Sequence, residues 1–204
     1  MTTYSGWHFL SDPTQLSNDG GPLLPVVELP KGIHPELCST GFHASRRPLD
    51  ALSFAPGPWL CRVRLEGEVI LEDDKAVGSR RVLLAGPVDL TRELRLFACG
   101  CAERVLPIFE RERPGDARPR AAIETARRYA NGEATREETA AAGDAAWDAA
   151  RAAAGAAAGG AAWDAAWDAA FAAAGGAARA AARDCQNRRL AKMFRAATAA
   201  KENA

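Results

Sequence analysis

Apolar and polar positions change their rhythm along this chain. Up to residue 87 the apolar runs are short and cut by turn formers: Pro13, the run Asn18 to Pro22, Pro25, Pro30 and Gly32. Val26 to Leu29 fits a short strand between two prolines. Ser45 to Ala55 fits a short helix, with Ser45 as N-cap, Pro48 in the first turn and Leu49 and Leu52 as its apolar face. Pro56-Gly57-Pro58 ends it. The clearest strand follows, where Trp59, Cys61, Val63 and Leu65 alternate with Leu60, Arg62, Arg64 and Glu66. A period of two with one charged face predicts one buried and one wet face. Gly67 marks a bulge or turn, and Glu68 to Leu71 extends the sheet. Glu72 to Lys75 is a polar loop, and Arg81 to Leu84 a further strand closed by Gly86-Pro87.

From Asp89 the period becomes helical. Asp89 or Thr91 caps a helix with Leu94, Phe97, Cys101, Val105 and Ile108 on one stripe, kinked or ended at Pro107. A second helix runs from Arg118 to Ala130, with Pro119 in its first turn and Asn131-Gly132 as its stop. Thr135 and Glu138 form a capping box for a third. From Glu133 to Asp184 there is no Leu, Ile, Val or Met, so core material must come from Trp147, Trp163, Trp167, Phe171 and alanine. The unit Ala-Ala-Trp-Asp-Ala-Ala occurs at 145–150, 161–166 and 165–170. Alanine favours helix strongly, while Gly155, Gly159-Gly160 and Gly175-Gly176 weaken it, which puts a turn at Gly159-Gly160. The expected fold is α+β: a small mixed domain over 1–87, then an all-α, alanine-rich bundle over 88–204.

Charge narrows the partners. Basic and acidic residues number 26 each, so no net field draws the chain to nucleic acid or anionic membrane. The five cysteines, an odd count without a framework, argue against a secreted disulfide scaffold. Met1 to Leu10 lacks the pattern of a signal peptide, and Ala152 to Ala182 carries Asp164, Asp168 and Arg179, which argues against a membrane span. These features predict a cytoplasmic protein.

Candidate chemistry is sparse. His34, Cys38 and His43 invite a zinc reading with Cys99 and Cys101, but the spacing matches no zinc module, so no metal or other cofactor is expected. There is no glycine-rich phosphate loop with its lysine and no nucleophile elbow, which favours binding over catalysis. Trp163, Trp167 and Phe171 share one helix face, flanked by Asp164 and Asp168. They form either a core row packed on a partner helix or an exposed partner-binding ridge. The tail from Arg183 to Arg195 sets Leu190, Met193 and Phe194 against Arg188, Lys192 and Arg195, as a closing bundle helix or a nucleic-acid or membrane contact.

Three resemblances attach to these residues. The segments Leu37 to Ser45, Pro48 to Ala51, Val63 to Val69 and Asp74 to Val77 resemble an uncharacterised domain common in phage and bacterial proteins. The segments Phe97 to Leu106, Arg118 to Glu124, the Trp-Asp repeats and Asp184 to Leu190 resemble the alanine-rich helical immunity-protein domain found near polymorphic toxin systems. The front half is also similar to an ADP-ribosyltransferase core, through Tyr4-Ser5-Gly6 and Gly41 to Ala55. That last resemblance implies that His43 and Ser45 touch nicotinamide or ribose and that Tyr4 stacks, with no evident catalytic glutamate. The resulting expectation is a non-enzymatic interaction factor of the immunity or phage anti-defence type. Its partner would be a protein, a toxin or defence component, or a second copy. An NAD- or nucleotide-binding front half is the alternative, and a phage structural or scaffold component the third reading.

Overall fold

In the computed structural model, which describes residues 3–16, 21–157 and 183–199, strands and helices separate as the change of period implies. Strands β1 (Tyr4–Leu10), β2 (Val26–Glu28) and β3 (Phe42–Ala44) precede helix α1 (Pro48–Ser53). The long strands β4 (Trp59–Leu71) and β5 (Ala76–Asp89) follow, and then helices α2 (Thr91–Glu112), α3 (Arg118–Ala130) and α4 (Arg136–Ala157). A C-terminal helix covers 183–199. The turn expected at Gly159-Gly160, the helix-weakening pair Gly175-Gly176 and the residues Trp163, Asp164, Trp167, Asp168 and Phe171 lie outside the described residues.

The chain divides into two units, residues 1–91 with 182–204, and residues 92–181. In sequence, the helical unit is therefore an insertion between β5 and the C-terminal helix. The tail does not close a helical bundle. It packs within the first unit, where Leu190 and Phe194 are buried and the Phe194 ring meets Trp7 edge-on at 5.0 Å. Asn187, Leu190 and Phe194 fall at i, i+3 and i+7, a spacing that brings them to one helix face.

The sheet is antiparallel, in the order β1-β4-β5-β2, with β3 also paired to β5. Past the end of β3, Ser45 bridges Trp7, and each donates its N–H to the other's carbonyl, at 2.9 and 2.7 Å. The bridge curls the sheet so that β3 meets the free edge of β1. Ser45 thus serves the backbone of the sheet and does not cap α1, whose N-cap residue is Arg47. The missing cap comes from afar: Asn187 Oδ1 accepts the Leu49 N–H at 2.9 Å. Close approach of β1 and β3 also requires Gly6, since a Cβ there would lie 2.8 Å from both Ala44 Cβ and the Ser45 carbonyl oxygen.

The alternation along β4 is broken at two places. Register shifts flank Arg62, so Leu60 and Cys61 are both buried. A further shift between Glu66 and Val69 holds Gly67 at φ +77, the bulge its position implies. Gly86-Pro87 does not end β5, which continues to Asp89. Pro107 does not end α2 either, and Ile108 is exposed while Phe97, Cys99 and Leu106 are buried. The apolar stripe thus turns away from the expected Ile108.

In the helical unit, α2 and α3 run antiparallel, because the start of one meets the end of the other. Arg92 donates to Asn131 Oδ1 at 2.8 Å, Arg95 stacks over Tyr129, Arg127 pairs with Glu103 and Arg120 with Glu110. These pairs lie at the surface, where water and salt screen them. Thr135 Oγ1 accepts the Glu138 N–H at 3.1 Å, and Glu138 Oε2 accepts the Thr135 N–H at 2.7 Å, completing the capping box of α4.

Candidate functional site: a cleft at the β1–β3 bridge

Where β3 crosses to β1, the two strands leave a cleft of about 550 Å³. Trp7, His8 and Phe9 of β1 and His43, Ala44 and Ser45 supply its sheet wall. Ala51, Phe54 and Pro56 supply the helix side, and Cys38, Ser39 and Lys75 come from the loops before β3 and β5. The cleft lies within the first unit, and it draws on three of the four segments that carry the phage-domain resemblance.

Its polar groups are tied to one another. Lys75 Nζ donates to Cys38 Sγ at 2.9 Å and lies 5.0 Å from the Phe54 ring centre. A weaker contact runs from Lys75 to Glu72 at 3.5 Å. The bond to Cys38, ahead of the contact with Glu72, holds the ammonium above its ordinary value. Cys38 has a left-handed backbone, φ 61, and its N–H donates to His43 Nε2 at 3.2 Å. That bond requires an unprotonated Nε2. Burial and the neighbouring Lys75 charge lower the His43 pKa, while a hydrogen bond to the Gly41 main chain opposes them. His8 is pushed further, from 6.5 to about 3, by burial first, then by the Arg81 charge and then by His43. Both rings are therefore neutral near pH 7, and among the described residues Lys75 is the one cationic side chain lining the cleft.

The structure brings His43 and Ser45 together in this cleft, but Tyr4 does not line it. Tyr4 is buried in the core cluster with Leu10, Val63 and Leu65. Its phenol is raised by burial, against the opposing Arg46 charge. Sequence reasoning missed Lys75 and His8 as cleft residues. Lys75 falls in the Asp74-to-Val77 segment but nothing there assigns it a role, and a bulged hairpin and a crossing strand bring the two residues in. His34, one of the zinc candidates, pairs with Glu68 Oε2 at 2.7 Å. Among the described residues, no group of three His, Cys, Asp or Glu is placed to hold a metal ion.

The helical unit offers a different surface. Among the described residues, Trp147 on α4 is 65% exposed, between the exposed Asp144 and Asp148. It belongs to the first Ala-Ala-Trp-Asp-Ala-Ala unit. Comparison with known families bears on this half. Residues 89–183 match the family model of the Imm-5 like putative immunity protein. The matched span brackets the helical unit, 92–181, almost residue for residue. No curated protein and no solved structure matches the chain. Among the described residues, no helix is long and apolar enough to cross a membrane.

Proposed function

We propose that this chain is an immunity-type interaction protein that binds a protein partner of the toxin class through its helical unit, without catalysing a reaction on it. The match of residues 89–183 to an immunity family carries the reading. The exposed Trp147 supports it, because a large aromatic held in solvent between two carboxylates suits a contact with an apolar, arginine-bearing partner surface. Trp163-Asp164 and Trp167-Asp168 repeat the Trp147-Asp148 pair in sequence, and with Phe171 they are the further partner-binding candidates of the matched span.

The test is capture of a stoichiometric partner by the full chain, followed by reconstitution from purified components. The partner should arrest bacterial growth when expressed alone, and co-expression of this chain should relieve the arrest. Trp147→Ala should weaken the purified complex at least tenfold while leaving the far-UV circular dichroism unchanged. A captured protein that is harmless alone, or a complex indifferent to Trp147→Ala and to Trp163→Ala with Trp167→Ala, would defeat the reading. Large homo-assemblies by light scattering would instead favour the scaffold reading.

The cleft favours a second reading. An NAD-type or other nucleotide ligand would sit against His43 and Ser45, with Trp7, Phe9 and Phe54 as apolar wall and Lys75 as counter-charge. Calorimetry with NAD at millimolar concentration tests it, and binding should fall on His43→Ala. No heat at that concentration would exclude NAD.

A further inference from the structure

We infer that the cleft binds a small aromatic monocarboxylate, with its carboxylate held by Lys75 and the Ser45 hydroxyl and its ring against Phe54. The inference rests on the second reading above, that the cleft holds a small ligand, and narrows the occupant from a nucleotide to an acid of single charge. Lys75, in the loop before β5, supplies the cation. Its side chain is only 16% exposed, yet its ion pair among the described residues is a 3.5 Å contact with Glu72, longer than an ordinary hydrogen bond. A mostly buried ammonium gains from a closer counter-charge, and the cleft beside it admits one. Ser45 supplies a donor. It is 3% exposed and lines the cleft, and its main chain is engaged with Trp7. Among the described residues its side-chain oxygen has no hydrogen-bond partner. A hydroxyl buried without a partner is costly, and an acceptor placed in the cleft would relieve it. Phe54 supplies the apolar surface. It lines the cleft while 51% exposed, and Lys75 Nζ lies 5.0 Å from its ring centre.

One small ligand can reach all three groups. Lys75 and Ser45 each lie one residue beyond the Ala44–Ala76 pair of the β3–β5 ladder, so the register brings them to adjoining strand ends. Cβ atoms of opposed cross-strand residues are about 4.5–5.5 Å apart, and the two oxygens of one carboxylate can accept from both side chains. A ring packed offset on Phe54, at a centroid distance of about 4.5–7 Å, stays within reach of the same ammonium. Ala51 and Pro56 extend the apolar wall. The charge of the occupant follows from the lining. Burial lowers both His8 and His43, so neither adds a positive charge near pH 7, and among the described residues Lys75 is the cation that the cleft offers. One ammonium matches one carboxylate, whereas the pyrophosphate of a dinucleotide would bring a second negative charge without a partner. The cleft volume of about 550 Å³ lies within the range of small-molecule sites, about 300–1,000 Å³. Binding here is independent of partner binding by residues 89–183, and failure of either leaves the other standing.

The experiment titrates the nitrogen-15-labelled full chain with indole-3-acetate, with the neutral indole-3-acetamide and with NAD, and reads backbone amide shifts. Indole-3-acetate should move the amides of residues 43–45 and 75–76 with a dissociation constant of about 1 mM or below. The amide, equal in shape but without the charge, should bind at least about fivefold more weakly. Lys75→Gln should remove most of that difference, and Ser45→Ala should reduce it while keeping the main-chain bridge to Trp7. Phe54→Ala should weaken acid and amide alike and leave their ratio unchanged. Equal binding of acid and amide to the parent chain would overturn the proposal, and this comparison needs no variant to fold. So would shifts confined to residues outside the cleft, or an acid preference unmoved by Lys75→Gln in a variant whose spectrum is otherwise that of the parent. If NAD moves the cleft amides and indole-3-acetate does not, the narrowing to a monocarboxylate fails and the nucleotide reading stands. If neither ligand moves them at about 10 mM, both fall.

Discussion

Replacing Phe194 with alanine should loosen the strand that forms one wall of the cleft. Phe194 is 5% exposed, and its ring stands at 89° to Trp7 with centroids 5.0 Å apart. Removing a buried phenyl ring costs about 3–5 kcal/mol, counting lost transfer energy and the cavity left behind. The edge-to-face pairing accounts for about 0.5–1.5 kcal/mol of that. Trp7 is also the residue whose N–H and carbonyl make the bridge to Ser45. Each 1.4 kcal/mol is a factor of ten, so a loss of about 3 kcal/mol lowers hydrogen-exchange protection roughly 150-fold. Exchange mass spectrometry on peptides covering β1 and residues 42–51 reads this directly. Phe194→Leu keeps bulk and loses the ring edge, so it should cost less than about 1.5 kcal/mol. If β1 in Phe194→Ala exchanges within about twofold of the parent, the C-terminal helix does not hold the front unit in the way described.

Other outcomes follow from the same geometry. Gly6→Ala puts a methyl 2.8 Å from Ala44 Cβ and the Ser45 carbonyl oxygen, so it should lower the unfolding free energy by about 1–3 kcal/mol, read as a lower urea midpoint. Ala at the exposed Gly143, where a Cβ meets nothing within 4 Å, should be neutral or stabilising. Thr135→Ala removes one arm of the capping box and should cost α4 about 0.5–2 kcal/mol, read by thermal melting of the far-UV signal. His8 titrates at about 3 when folded against the ordinary 6.5, so the unfolded chain binds more protons between those values. Stability contributed by neutral His8 is full above 6.5 and is lost as pH falls towards 3. His43, lowered in the same direction, adds to the loss. Urea midpoints at about pH 7.5 and pH 5 should therefore differ less in His8→Gln than in the parent. An equal difference in the two would remove His8 from the account.

The cleft residues divide between what local pattern marks and what folding assembles. His43 and Ser45 stand out in Gly41-Phe42-His43-Ala44-Ser45, and the structure puts both in the cleft. Lys75 stands in the Asp74-to-Val77 run of the phage-domain resemblance, but nothing there gives it a role. It looks like the end of an acidic loop, and only the β4–β5 hairpin brings its ammonium to Cys38. Tyr4 stands out equally well in sequence, yet it is buried in the core, because β1 is covered on both faces.

The sequence by itself determined the elements whose signals are local. Period-two alternation set β4, although its ladder needs β1 and β5; proline and Asn-Gly bounded α3, and Thr135 with Glu138 started α4, because there a few neighbouring residues supply the hydrogen bonds. It also determined that the alanine-rich stretch from Arg136 to Ala157 is helical, since alanine leaves little alternative. The tertiary structure alone decided where the tail packs. Leu190 and Phe194 make an apolar face that would suit any partner, and it was Trp7, the uncapped α1 N-terminus and the buried Asp50, paired with Arg47 and Arg183, that claimed it. Apolar burial carries no address, whereas a buried carboxylate and an orphan N–H must each find a particular partner, and these lay far away in the chain.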